Sequence, residues 1–172
     1  MKNSPVSYVL RVAAWIVLLL LAVMILFFWR EVAGEQTATD APSFPRASVT
    51  LQRADGKTFP MDVEVATTPE QETYGLMFRH SLPRDAGMLF LWPNDQMIMM
   101  WMKNTFIPLD MLFVRHDGTI AKIVTNAEPL SLTPLPSDGP VRAVVEINAG
   151  EAARRGLNPG DKVLYSALTG KP

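Results

Sequence analysis

The sequence contains no cysteine and only two histidines among its 172 residues. The absence of cysteine excludes disulfide bonds, cysteine-ligated zinc, iron–sulfur clusters and thiol catalysis. Two histidines are too few for a three-histidine metal site. The 16 Lys and Arg side chains nearly cancel the 17 Asp and Glu, whereas nucleic-acid-binding proteins usually carry a basic excess or stripe. We therefore expect no nucleic acid among the partners of this chain.

One long apolar run, from Val12 to Trp29, carries no charged side chain. As a helix it would be ~27 Å long, just enough to span a hydrocarbon core of ~30 Å. Basic residues precede the run, whereas Arg30 on the far side is followed at once by Glu31. By the positive-inside rule, residues 1–11 are predicted to be cytoplasmic, residues 12–29 to anchor the chain in the inner membrane in a single pass, and the rest to lie in the periplasm.

A cleaved signal peptide is the alternative interpretation of the same run. Val32-Ala33-Gly34 offers small residues for a cleavage site, although bulky aromatic residues crowd the approach to it. Both interpretations export the remaining chain. Residues 33–47 are small, polar and proline-bearing, which predicts a linker, and residues 48–168 are predicted to form one exported domain of about the size that buries a single core.

The exported part shows the pattern of a mainly β (α+β) domain, either barrel-like or a sandwich. Apolar and polar residues alternate on both sides of Asp55-Gly56, and Asp117-Gly118 separates two further apolar runs, so two hairpins are predicted. About eight strands and two short helices are expected, with residues 87–92 and 97–101 as two separate strands on either side of Pro93. The helices are Pro69 to about Met77, with a capping box at Thr68, and Ala149 to Arg155. The proline-bearing stretch Glu128–Pro140 is predicted to be a loop.

Four sequence blocks resemble those of the family called domain of unknown function 192. They are Gly75-Leu-Met-Phe-Arg79, Gly87-Met-Leu-Phe90, Met100-Trp-Met-Lys-Asn-Thr105 with Ile107-Pro-Leu-Asp-Met-Leu-Phe113, and Glu146-Ile-Asn-Ala-Gly150 leading to Gly156 and Pro159-Gly-Asp161. The resemblance covers roughly Val49 to Ser166. It implies a compact β-rich fold in an exported or membrane-anchored bacterial or archaeal protein, and it implies no established activity.

A group of polar residues lies at the ends of apolar runs, where it could line a ligand cleft. Its members are Arg79, Lys103, Asn104, Thr105, Asp110 and Glu146. The basic side chains could bind an anion and the amide could bind a sugar or a peptide. The alternative is structural: Asp110 would pair with a nearby basic residue, and Asn148 would cap the helix that starts at Ala149. We expect the proline-bearing loop to form the rim of any cleft.

The run Met97-Ile-Met-Met-Trp-Met102 suggests a second kind of site. Thioether sulfur is a soft ligand that suits Cu(I), so Met97, Met99, Met100 and Met102 are candidate ligands of a periplasmic copper-handling protein. On a strand, Met97, Met99 and Trp101 would share one face, and the residues between them the other. The alternative is that methionine here fills gaps in the core.

Recognisable catalytic patterns are missing from the sequence. The serines lack a nucleophile elbow, and there is no phosphate loop, dinucleotide fingerprint or EF-hand loop. Asp110 and Glu146 could be proposed as the carboxylate pair of a hydrolase acting on envelope polymers, if the fold brought them together. The sequence therefore favours a non-catalytic binding or accessory module of the cell envelope, without a resident cofactor and with copper handling and hydrolysis as alternatives. Its expected partner, besides the membrane, is a small ligand or an envelope protein.

Overall fold

A computed structural model describes Trp15, Leu19–Met24 and Ala41–Thr169. The chain divides into two compact units, Met1–Ala41 and Pro42–Pro172. Trp15 and Leu19–Met24 are helical, and most of the predicted span from residue 12 to residue 29 lies outside the described residues. Among the residues that are described, no helix has both the length and the apolar character needed to cross a membrane.

The second unit is a seven-stranded, strongly curled sheet with three short helices in its described part. The strands are β1 (Arg46–Gln52), β2 (Thr58–Ala66), β3 (Ala86–Met100), β4 (Leu109–Val114), β5 (Ile120–Ala127), β6 (Leu135–Asn148) and β7 (Lys162–Leu164). The helices are α1 (Pro69–Tyr74), α2 (Glu151–Arg155) and α3 (Ser166–Thr169). The strand order is β5-β4-β6-β3-β2-β1-β7, and only β2 and β3 run parallel. The predicted mainly β, barrel-like class is therefore confirmed as a half-barrel.

Local sequence chemistry accounts for the hairpins and for α1. β1 pairs with β2 across Asp55-Gly56, and β4 pairs with β5 across Asp117-Gly118, as the alternation predicts. Thr68 and Gln71 form the predicted reciprocal capping box of α1. The helix ends three residues earlier than predicted because Gly75 adopts a positive φ of 48° directly after Tyr74.

Three sequence predictions are wrong in detail. The runs predicted as two strands around Pro93 belong to one strand, β3, which tolerates the interruption through register shifts against β6. The predicted loop from Glu128 to Pro140 is a strand from Leu135 onward. Pro136 fits there because this part of β6 pairs with β3 alone, and proline is tolerated in a strand that has a free edge. Asn148 does not cap α2: Gly150 occupies that position, and the Asn148 amide donates to Leu82 O.

The sheet is buried on both faces, which explains the continuous apolar runs in its central strands. One face, inside the curl, packs a cluster that includes Leu51, Leu89, Leu112 and Val145. The other face packs a second cluster that includes Phe90, together with Leu76 from the segment after α1 and Met102 from the segment after β3. All six residues of β4 are buried. The candidate site lies on this second face.

Candidate functional site

A cleft of about 300 Å³ opens between residues 72–77, at the end of α1 and just after it, and the C-terminal half of β3. Its lining mixes apolar and aromatic side chains with polar and charged ones, a combination that can hold a small molecule through both packing and hydrogen bonds. The lining residues are Glu72, Thr73, Tyr74, Gly75, Leu76, Met77, Phe90, Trp92, Gln96, Ile98, Met99, Met100, Trp101, Lys103, Thr105 and Glu146.

Glu146 is the buried acid of this cleft. It lies on β6 on the same face as Val144, and only 4% of the residue is exposed. No hydrogen bond or ion pair joins its side chain to any other described residue. Burial raises the pKa of the Glu146 carboxyl to about 8, because a charged carboxylate without a partner is poorly solvated there. The group is therefore mostly a neutral carboxylic acid at pH 7, able both to donate and to accept a hydrogen bond.

Lys103 and Trp101 form the exposed side of the cleft. The Lys103 Nζ lies 5.3 Å from the centroid of the Trp101 ring, within the range of a cation–π contact. No carboxylate in the described part of the chain lies within ion-pair distance of that ammonium. Thr105 is buried beside them, and its hydroxyl donates to Lys103 O at 3.3 Å, which holds the turn after β3.

Gly75 allows the wall formed by residues 72–77 to approach the sheet closely. A Cβ atom at Gly75 would lie 3.0 Å from Cζ of Phe90, and the residue has a positive φ. Both facts favour glycine, because a side chain would be strained and would collide with the ring. The segment after α1 therefore rests directly on the aromatic part of the cleft.

The structure brings together three of the six predicted ligand-binding residues. Lys103, Thr105 and Glu146 line the cleft. Arg79 is not among the lining residues, and its guanidinium makes a bidentate pair with Glu64. Asn104 has a positive φ of 55° and its main-chain carbonyl accepts from Phe78 N, so it serves the turn.

Asp110 has a structural role, but its partners are main-chain N–H groups and not the basic residue that the sequence suggested. The residue is completely buried. Its two oxygens accept from Asn126 N and from Ala152 N, each at 2.9 Å. It therefore fixes the end of β5 and the first turn of α2, and it pairs with neither Lys103 nor Arg79. Asp110 lies on the face of Leu112, opposite to Glu146, so the fold does not bring these two carboxyls together.

The methionine run alternates as predicted, and this alternation separates the candidate copper ligands. Met97 and Met99 are exposed, whereas Met100 and Met102 are buried in the second core cluster. Because the pairs point to opposite sides of the strand, the four sulfurs do not converge on one position. The described residues also contain no group of three or more His, Asp or Glu side chains placed to hold a metal.

The proline-bearing loop is not the rim of the cleft. None of its residues lines the cleft, and Leu130 and Leu132 are exposed. The actual wall, from Glu72 to Met77, was missed because nothing in a single sequence shows which segment covers a sheet face. The resemblance blocks gave a partial indication, since Gly75-Leu-Met belongs to one of them and Met100–Thr105 to another.

Fold and site together define a small half-barrel protein with a cleft on one sheet face that is lined by a buried acid. Comparison with known proteins identifies the family of the chain. The model of the DUF192 family, described as "Uncharacterized ACR", matches residues 50–165. The chain belongs to this family, as the four sequence blocks predict.

Two solved structures are similar to this chain over nearly their whole length. A protein of Sinorhizobium meliloti 1021, provisionally named a transcription regulator, is 45% identical, with a TM-score of 0.70, over 72% of this chain and 95% of its own. A protein of unknown function from Novosphingobium aromaticivorans DSM 12444 is 40% identical, with a TM-score of 0.67, over 76% of this chain and 98% of its own. No curated protein matches the chain.

Proposed function

We propose that this chain is a non-catalytic binding module of the cell envelope, anchored in the inner membrane by residues 12–29 and holding a small ligand in the cleft beside β3. The observation that carries the binding role is Glu146, a buried residue whose carboxyl lines the cleft and accepts no hydrogen bond from any described residue. No buried side-chain oxygen or nitrogen of the described residues lacks a partner, so the oxygens of this carboxyl face the open space of the cleft. A hydrogen bond from a ligand to this carboxyl would form where most water is excluded and would be stronger than in bulk water, and this is the reason for assigning the cleft to binding.

The location rests on the sequence. The uncharged run from residue 12 to residue 29 and the distribution of charge around it support an anchor with the domain in the periplasm. The name of the Sinorhizobium relative would suggest a role at DNA instead. The balanced charge of this chain favours the envelope role, because DNA binding depends largely on contacts from basic residues to phosphates.

Two alternative functions predict different experimental results. Copper handling now depends on Met97 and Met99, which are the exposed members of the methionine run, and it predicts uptake of Cu(I) that is lost on changing both to leucine. Hydrolysis of envelope polymers would have to use Glu146 without Asp110, and it predicts turnover. The binding role predicts neither result.

Native mass spectrometry of the full chain tests the proposal. The protein would be extracted with mild detergent from the inner membrane of the cells that make it. We expect an intact mass that includes residues 1–30, which tests the anchor, and a stoichiometric added mass from a ligand. Changing Trp101 to Ala should reduce the liganded fraction several-fold, because Trp101 forms the exposed wall of the cleft.

The control is Leu164→Ala, which removes an exposed apolar side chain from β7, outside the cleft. It should leave the liganded fraction unchanged. A chain that stays free of ligand when extracted, and that takes up none of a panel of envelope fragments, would contradict the binding role. A mass lacking the first 34 residues would replace the anchor with a cleaved signal peptide.

A further inference from the structure

Large apolar side chains that are exposed to solvent concentrate on one part of the domain. Among the described residues from Ala41 onward, eight such side chains are exposed, and seven of them lie at residue 78, within residues 97–106 or within residues 130–132. Four of these seven, each between 40% and 65% exposed, form what we call the apolar patch: Phe78, Phe106, Leu130 and Leu132. An exposed apolar patch of this kind usually marks a contact with another molecule or with a membrane.

Main-chain hydrogen bonds hold the three segments of the apolar patch together. Phe78 N donates to Asn104 O at 2.8 Å, and Leu130 N donates to Thr105 O at 3.1 Å. The rings of Phe78 and Phe106 meet edge to face, with their centroids 6.0 Å apart. Apolar side chains from three distant parts of the sequence therefore share one surface of the domain.

Two residues of the apolar patch have a backbone conformation that bulky side chains disfavour. Five non-glycine residues in the described part of the chain have a positive φ. Three of them are Asn104, Asn126 and Asp138, which are residue types that tolerate this region. The other two are Phe78, with a φ of 63°, and Leu130, with a φ of 62°. Burial does not account for these two residues, because both are at least half exposed, and strained residues cluster at functional sites.

The apolar patch continues, ring by ring, to the point where the chain enters the domain. The Phe78 centroid lies 5.9 Å from that of Tyr74, which lies 6.5 Å from that of Phe44. Phe44 is the third residue of the second unit. Residues 30–43 separate it from the proposed anchor, and these 14 residues reach at most about 50 Å when fully extended. An anchor at residues 12–29 would therefore keep the patch close to the bilayer.

The charged residues beside the apolar patch carry both signs. Lys103 is exposed, and Glu128 is exposed in the loop that carries the two leucines. Arg79, next to Phe78, is paired with Glu64. Because these charges offset one another, anionic headgroups would add little attraction. Exposed phenylalanine and leucine side chains instead suit the lipid interface itself, where aromatic rings and apolar side chains insert.

We propose that the apolar patch docks the domain on the bilayer that holds the anchor, by inserting its four side chains into the lipid interface. This inference rests on the anchor of the proposed function. The tether makes insertion an intramolecular step, so even a weak affinity for lipid is enough to keep the domain docked. Docking gives the domain one fixed orientation on the membrane.

Fluorescence quenching in nanodiscs of phosphatidylcholine tests the docking with the full chain. The chain lacks cysteine, so a single introduced cysteine can carry the environment-sensitive dye NBD. The position beside the patch is Glu128→Cys, and the reference is Asp55→Cys, in the turn at the far end of β1 from Phe44. We expect doxyl-labelled lipid to quench the dye at position 128 several-fold more than the dye at position 55. Raising the salt from about 0.05 M to about 0.5 M should not reduce this difference, because the contact is apolar.

A double variant, Phe78→Asn with Leu130→Asn, removes two of the inserting side chains. Asparagine tolerates a positive φ, so the turns should be kept and the midpoint of thermal unfolding should not fall. The stronger quenching at position 128 should be lost. Leu164→Asn is the matched control, because it removes an exposed leucine from β7, and it should leave the quenching unchanged. A purely structural role of the two residues would lower the midpoint and leave the quenching in place.

The outcomes distinguish the docking from the anchor on which it rests. If the chain stays in the nanodiscs but both labels are quenched equally, or neither is, the docking is wrong and the anchor stands. Quenching that persists in the double variant would assign the lipid contact to another surface. A wild-type dimer in detergent that the double variant dissociates, without quenching in nanodiscs, would make the patch an interface between copies. If the chain leaves the nanodiscs, the anchor has failed and the docking with it.

Discussion

At the scale of single residues, two buried carboxyls on neighbouring strands have opposite surroundings. Both oxygens of Asp110 accept main-chain N–H groups, whereas Glu146 accepts none from the described residues. The sequence shows two acids in apolar strands and cannot show which of them has hydrogen-bond partners. The donors to Asp110 are supplied by residues 16 and 42 positions away. The sequence showed that acidic residues occupy these two strand positions, whereas the role of each one depends on tertiary contacts.

Glu146 should make the stability of the domain depend on pH. Its pKa is raised from 4.5 to about 8, so between these values the folded state binds more protons than the unfolded state. The contribution of Glu146 to the free energy of unfolding should therefore be largest below about pH 4.5. It should fall by up to about 1.4 kcal/mol per pH unit between there and about pH 8. Urea denaturation between pH 5 and pH 9 measures this slope.

The variant Glu146→Gln should flatten that slope, because its amide does not titrate. It should be more stable than wild type at pH 9 and similar to it at pH 5. Equal slopes for the two proteins would show that Glu146 has an ordinary pKa or a partner outside the described residues.

At the scale of elements, β3 determines where the cleft can form. Its first half is held between β2 and β6, and its second half pairs with β6 alone. The sequence predicted both halves as strands, the first from a short apolar run bounded by glycine and proline. The Pro93-Asn94-Asp95 segment led to the prediction of a break, since proline is excluded from central strands. At that point β3 has a free edge, so the missing N–H is tolerated and the strand continues.

Gly87 should be required for the close contact of β3 with β6. A Cβ atom there would lie 2.5 Å from the main-chain oxygen of Glu146. Because neither backbone can move aside without disturbing the ladder, Gly87→Ala should lower the free energy of unfolding by about 1–3 kcal/mol or more. It should also shift the pH dependence assigned to Glu146.

Gly139→Ala is the matched control for this substitution. It lies in β6 as well, and a Cβ atom there meets nothing within 4 Å, so its stability should stay within about 0.5 kcal/mol of wild type. Chemical denaturation of both variants gives the comparison. A tolerated Gly87→Ala would mean that the two strands are farther apart than described.

At the scale of the whole molecule, the domain begins earlier than its sequence pattern indicates. Arg46 and Ala47, within the predicted linker, already belong to β1. Pro45 O accepts from Val65 N at 2.8 Å, and Phe44 packs against the second core cluster. These residues have the composition of a linker, and composition does not reveal that their main chain is hydrogen-bonded to a strand formed later in the chain.

A fragment that starts at Pro42 should therefore be more stable than one that starts at Ser48. The shorter fragment leaves the buried Val65 N–H without its acceptor and uncovers the apolar surface under Phe44. We expect a loss of about 2–4 kcal/mol in the free energy of unfolding, measured by urea titration at pH 6. Identical stabilities would place the start of the cooperative unit at Ser48.

The pairing of β1 with β7 has a consequence for how the protein is made. Leu51 stands opposite Val163, so the first strand to be synthesised completes its ladder only when almost the last residues of the domain are available. Until then β1 exposes a row of free main-chain groups, and such an edge invites pairing with other chains. A nascent or prematurely terminated chain that ends before Lys162 would keep that edge open. Pairing with the short strand β7 therefore removes an edge at which the protein could self-associate.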